Sequence, residues 1–197
     1  MSEDKMLFEK ICNDLVELKD TSETMMDLAY SALLLNSRAL AEEVLMLEDM
    51  VDSLHTEFEL LVLSKRGEAE EARGLLGLIR MGVVTERIAD AAAEIAEVVL
   101  RGAGPHPVLR MVIEDAEETV ERVVVSEGSP IVGKTLKEAR IAEETGMWVL
   151  VIRRGNRWMR PKPSTTIQTG DVIIASGYAD GEEDFLKFVG GMKQDPQ

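Results

Sequence analysis

Along the first hundred positions apolar residues recur at helical intervals, and no proline interrupts them. Leu7, Ile11, Leu18, Met25, Ala29 and Ala32 mark one face of a first helix. Leu40, Val44, Leu47, Val51, Leu54, Phe58 and Leu61 then step by alternating four and three residues, the heptad seam of a long second helix. Ser37, after a break at Asn36, offers a side-chain oxygen to cap its start, and Lys65-Arg66-Gly67 supplies the basic residues and glycine that end helices. A third helix is predicted from about Glu68 to Arg101, with Met81, Val84, Ile88, Ala92, Ile95 and Val99 as its stripe. Gly74, Gly77 and Gly82 mark a bend or a close helix approach in its first half. Three long helices with short connections predict an up-down-up bundle.

The run Gly102-Ala103-Gly104-Pro105-His106-Pro107 ends the helical pattern. A short helix is expected from Val108 to about Thr119, and then the period changes to that of strands. Val123–Val125 and Trp148–Ile152 read as strands, with a helix from Thr135 to Thr145 between them. Gly155-Asn156 turns the chain into a hairpin with Arg157–Arg160. Asp171–Tyr178 reads as a further strand and Asp184–Val189 as a closing helix. The fold class is therefore multidomain, α followed by α/β. A three-helix bundle (1–101) is followed by a linker with a short helix (102–118) and a β-α-β-β-β-α sandwich (119–197).

Composition refines the picture in three ways. Aromatic residues are 4% of the chain, so both cores must be aliphatic and methionine-filled. Of the net charge of −15, the first 101 residues carry 10 Lys/Arg against 22 Asp/Glu. Such a surface repels nucleic acid and anionic membranes and attracts cations. Cys12 is the only cysteine, which excludes an intramolecular disulfide and a thiolate zinc site. The charged N-terminus and the lack of a long apolar run lead us to expect a cytoplasmic protein with no membrane insertion.

Two carboxylate pairs have the i, i+4 spacing that stacks side chains on one helix face: Glu23–Asp27 and Glu86–Asp90. In an up-down-up bundle the first and third helices run parallel, so the pairs are expected to meet beside one groove. Hard oxygen donors of this kind suit magnesium, calcium, manganese or iron. The competing expectation is a pair of ordinary solvated faces, locally neutralised by Lys19 or Arg87. A second motif, Gly128-Ser-Pro-Ile-Val-Gly133-Lys134-Thr135, satisfies the G-x-x-x-x-G-K-T spacing of a nucleotide-binding phosphate loop. Only 62 of the 197 residues follow Thr135, too few for the parallel sheet such enzymes need. The alternative is a turn at Gly133 with Thr135 as a helix cap.

Glu86-Arg-Ile-Ala-Asp90-Ala-Ala-Ala-Glu-Ile-Ala-Glu97 resembles the third-helix signature of PhoU proteins, regulators of phosphate transport. Glu23 and Asp27 match the corresponding first-helix motif. The resemblance implies a three-helix bundle that holds metal clusters, a divalent or iron cation, on its surface. Ala91 and Glu94 depart from the histidine and asparagine often found in that family. Val125–Leu136, Val149–Gly155, Pro161, Thr165 and Gly170–Gly177 together resemble TrkA-C, the C-terminal half of domains that regulate potassium conductance. That resemblance implies homodimerisation, a membrane cation transporter or channel subunit as partner, and small ligands such as cyclic di-AMP. Arg153 and Arg154 are the candidate ligand-binding residues. Adjacent residues on a strand point to opposite faces, so one is expected to reach a ligand or partner while the other meets solvent or forms a salt bridge. Neither His55 nor His106 has an acid or nucleophile patterned around it. The expected function is a non-enzymatic cytoplasmic regulator of cation transport. The alternatives are a metal-binding regulator of phosphate uptake or signalling and a phosphate-loop nucleotide-binding protein.

Overall fold

The apolar stripes fold into three long helices in the structure, a computed structural model that describes residues 3–65, 69–102, 111 and 118–191. Helix α1 spans Glu3–Leu34, α2 Arg38–Ser64 and α3 Ala69–Leu100. Asn36 takes a left-handed backbone (φ 45°), and the Ser37 hydroxyl accepts from the Leu40 N–H at 3.4 Å, so the cap falls where the sequence places it. At its other end α2 stops at Ser64, and the Lys65 N–H donates to the Val62 carbonyl at 3.2 Å. Gly67 lies outside the described residues. The Lys65 Nζ is 5.1 Å from the Phe8 ring, and Arg38 donates to the Leu100 carbonyl, so successive helices run in opposite directions. The bundle is up-down-up.

Ile11, Leu18, Met25, Leu28, Ala29 and Ala32 of α1 and Leu40, Val44, Val51, Phe58 and Val62 of α2 form its core. The third stripe differs from the sequence reading in its first half. Met81, Val84 and Ile88 are 57, 53 and 42% exposed, while the expected Ala92 and Val99 are buried together with Thr85, Ala89, Ala93 and Ala96. The reason is helix proximity. A Cβ on Gly82 would sit 2.8 Å from Phe58 Cε1, so only small residues fit where α3 meets α2.

The chain parts into two compact units after Gly102. The expected helix over 108–119 lies mostly outside the described residues; Met111 is helical, and Glu118 already belongs to a strand. In the second unit, strands β1 (Glu118–Val124), β2 (Met147–Arg154), β3 (Arg157–Met159) and β4 (Val172–Tyr178) form an antiparallel sheet in the order β1-β4-β2-β3. Helices α4 (Leu136–Ala139), α5 (Ile141–Thr145) and α6 (Glu182–Gly190) complete it. Its core joins Val125, Ile131, Ile141, Met147, Ile152, Ile167, Ile173, Phe185 and Val189.

The single helix predicted over Thr135–Thr145 is two, split where Arg140 adopts φ 50°, ψ 40°. Residues two apart lie about 200° apart around one helix. The kink instead lets both Ala139 and Ile141 enter the core. The glycine–lysine–threonine run behaves as the turn alternative predicts. Gly133 takes φ 80°, and Thr135 and Glu138 form a capping box on the short α4. A phosphate loop leads from a parallel strand into a crossover helix; every strand pair among the described residues is antiparallel.

Candidate functional site

A groove of about 550 Å³ opens on the second unit, between the α4–α5 region, β2 and the segment after β3. Leu136, Ile141, Ala142, Val149, Pro161 and Pro163 supply apolar walls, Trp148 a flat ring, and Lys137, Lys162 and Glu143 charge. The two walls are tied together. Leu136 N–H donates to Thr165 O at 2.9 Å, Lys137 N–H to Pro163 O at 3.1 Å, and Gly133 N–H to Ile167 O at 2.9 Å. A mostly apolar groove with an exposed indole and two ammonium groups can stack a planar ring and hold an anion beside it.

Arg153 and Arg154 do point to opposite sides of β2, and neither lines the groove. Arg154 grips the buried Asp171: Nε donates to Oδ1 and a terminal nitrogen to Oδ2, each at 2.8 Å, while that nitrogen also reaches Thr166 O at 2.7 Å. The bond to Asp171 and its charge raise the Arg154 pKa, against desolvation. The pair anchors the 161–168 wall, because Asp171 Oδ2 also accepts from Gln168 N–H at 2.9 Å. Arg153 stacks over its cross-strand neighbour Trp158, 5.5 Å from the ring centroid. Sequence reasoning missed Lys137, Lys162 and Trp148, which gather only when three distant segments converge.

In the bundle, carboxylate oxygens of Glu48, Asp52 and Asp90 lie within 4.8 Å of one another. Burial first, then the neighbouring charges of Asp52, Asp49, Asp90 and Glu86, push the Glu48 pKa up. The α3 pair Glu86–Asp90 therefore faces Glu48 of α2, and Glu23 and Asp27 of α1 are not members of this three-carboxylate cluster. Glu23 pairs with Lys19 at 3.0 Å. Asp27 is half-buried, and desolvation pushes its carboxyl up to about 6. The overlooked partner was legible, since Glu48-Asp-Met-Val-Asp52 has the same i, i+4 spacing as the pairs singled out. Three hard oxygen donors at this separation fit a divalent cation. Among the described residues, no helix is long and apolar enough to cross a membrane.

A PhoU domain model matches residues 15–99 and a TrkA-C domain model residues 120–190. Potassium channel protein 1 of Methanocaldococcus jannaschii is 30% identical over 84 residues, 42% of this chain and 25% of its own length. Probable potassium channel protein 2 of the same organism is 33% identical over 84 residues, 41% of this chain and 23% of its own. The chain thus spans about a quarter of the length of these relatives. A solved structure, the RCK_C domain dimer of S. agalactiae BusR in complex with c-di-AMP, covers 36% of this chain and 93% of its own at 25% identity, with a TM-score of 0.34.

Proposed function

We propose that this chain, a PhoU domain followed by a TrkA-C domain, is a non-enzymatic cytoplasmic regulator of potassium transport that receives a small ligand in its C-terminal groove. Residues 119–197 are the sensor and dimerise, residues 1–101 are the responding bundle, and 102–118 link them. The partner is a membrane potassium channel or transporter subunit. Support comes from the TrkA-C match and from potassium channel relatives that are 30 to 33% identical over 84 residues of this chain. The observation that carries the ligand reading is the groove itself, where Trp148 and two lysines face one apolar cleft. Regulation requires that the ligand bind one arrangement of the protein better than another.

The test is a thermal-stability screen of the full chain against cyclic di-AMP, ATP, other nucleotides and divalent cations, since a native-state ligand raises apparent stability. Binding in the groove should quench Trp148 and be weakened by Lys137→Ala and Lys162→Ala. A compound that stabilises the chain equally in wild type and in both variants places binding elsewhere and removes the groove reading.

A second reading makes the bundle a cation-responsive element, favoured by the Glu48–Asp52–Asp90 cluster. Manganese or magnesium should then raise the melting temperature of the wild type and leave an Asp52→Asn/Asp90→Asn variant unmoved. Equal responses of the two proteins rule it out.

A further inference from the structure

The apolar positions that α3 turns away from its own core are not scattered. Gly77, Met81, Val84, Ile88, Ala91, Ile95 and Val98 step by four and three residues along α3, a full coiled-coil seam. Met81, Val84, Ile88 and Val98 are exposed. The seam runs about 32 Å at 1.5 Å per residue. Of its two flanks, Thr85, Ala92 and Val99 are sunk in the bundle core, so that side offers nothing to a partner. The free flank carries Arg80, Arg87 and Glu94, each preceding a core position of the seam and all exposed. In a domain with more than twice as many acids as bases, this strip is locally basic with one acid.

We propose that this α3 seam pairs with the same seam of a second copy of the chain, antiparallel, about a two-fold axis beside Ile88. A parallel arrangement would set the free flank of one helix against the buried flank of the other, and no charge pairing could form. In the antiparallel arrangement the free flanks face each other. Arg80 and Glu94 lie seven residues to either side of Arg87, so the two-fold places Arg80 opposite the partner's Glu94, twice. Arg87 then faces the partner's Arg87, and one heptad further out Arg73 faces the partner's Arg101, a residue that Glu97 of its own chain partly neutralises; these opposed like charges keep the association weak and salt-sensitive. A strip of this length and roughly 10 Å width covers about 300 Å² on each copy, below the area of stable interfaces, so the pairing is a weak and transient one. An exposed apolar face of α2, with Met46, Met50 and Leu60, is interrupted by Ser53 and Glu57 and edged by Asp49. Its copy would bring acid against acid.

The test uses the full chain with Cys12→Ser and Ile88→Cys, oxidised with copper-phenanthroline, beside Cys12→Ser/Leu60→Cys as a control on the α2 face. A disulfide-linked dimer forming at least tenfold faster at position 88 than at position 60 is expected. Equal rates, or no cross-link at 88, overturn the proposal, including the case in which the seam serves a different protein. In the Ile88→Cys background, Arg80→Glu should slow cross-linking roughly tenfold by setting two like-charge pairs. Adding Glu94→Arg should restore it, and Arg87→Gln should speed it. Circular dichroism checks that each variant keeps its helices. A slowed Arg80→Glu that Glu94→Arg does not rescue refutes the antiparallel register.

Discussion

Replacing Arg154 with alanine isolates the contact that holds the groove wall to the sheet. Asp171 is 1% exposed and accepts two bonds from the guanidinium and one from Gln168 N–H. Without the guanidinium, a buried carboxylate keeps a single backbone donor, a situation that costs about 3–5 kcal/mol where no water enters. The Arg154 side chain is 34% exposed, so water replaces part of the lost solvation and the expected cost is ~2–4 kcal/mol. Both tryptophans, Trp148 and Trp158, lie in the second unit, so their fluorescence reports this unit alone during urea unfolding. For a unit of this size the loss corresponds to a fall of roughly 10–25 °C in melting temperature. Adding Asp171→Ala removes the stranded charge, so the double variant should recover part of the loss, with a coupling of ~1–3 kcal/mol. A loss below ~1 kcal/mol for Arg154→Ala, or strictly additive single changes, would refute the view that this pair is the anchor.

Three further outcomes follow from the packing and the charges. Gly82→Ala should destabilise the bundle by about 1 kcal/mol, because a clash with Phe58 outweighs the helix propensity gained; Gly74→Ala, with nothing within 4 Å of its Cβ, should stabilise it by up to ~1 kcal/mol, both read by circular dichroism in urea. Asp27 has a folded pKa of about 6 against an ordinary 3.8, so the folded state favours the protonated acid. That contribution is complete below pH ~4 and is lost as pH rises through 6, by ~1–2 kcal/mol after allowance for partial exposure. Asp27→Asn should flatten this dependence, and an unchanged pH profile of melting temperature would contradict the burial account. Gly177→Ala should prevent the second unit from folding, since its Cβ would meet the Gly146 carbonyl and Met147; retained native tryptophan emission would count against this packing.

The periodicities alone determined the two-part organisation, the three helices, the Ser37 cap and the β-α-β-β-β-α order. Each is set within a few residues, by the 3.6 and 2.0 repeats and by local side-chain-to-backbone bonds. On α3 the helical period found apolar positions, but it could not say which of two apolar stripes faces inward. That depended on Phe58 of α2 pressing on Gly82, a contact between residues distant in sequence. Likewise the alternation of β2 split Arg153 from Arg154, while the buried Asp171 decided which arginine became an anchor. Glu86–Asp90 was visible as a pair, and helix adjacency brought Glu48 and Asp52 of α2 to Asp90. Spacing along a chain fixes what shares a face; which faces meet is set by the volumes of side chains brought together only on folding.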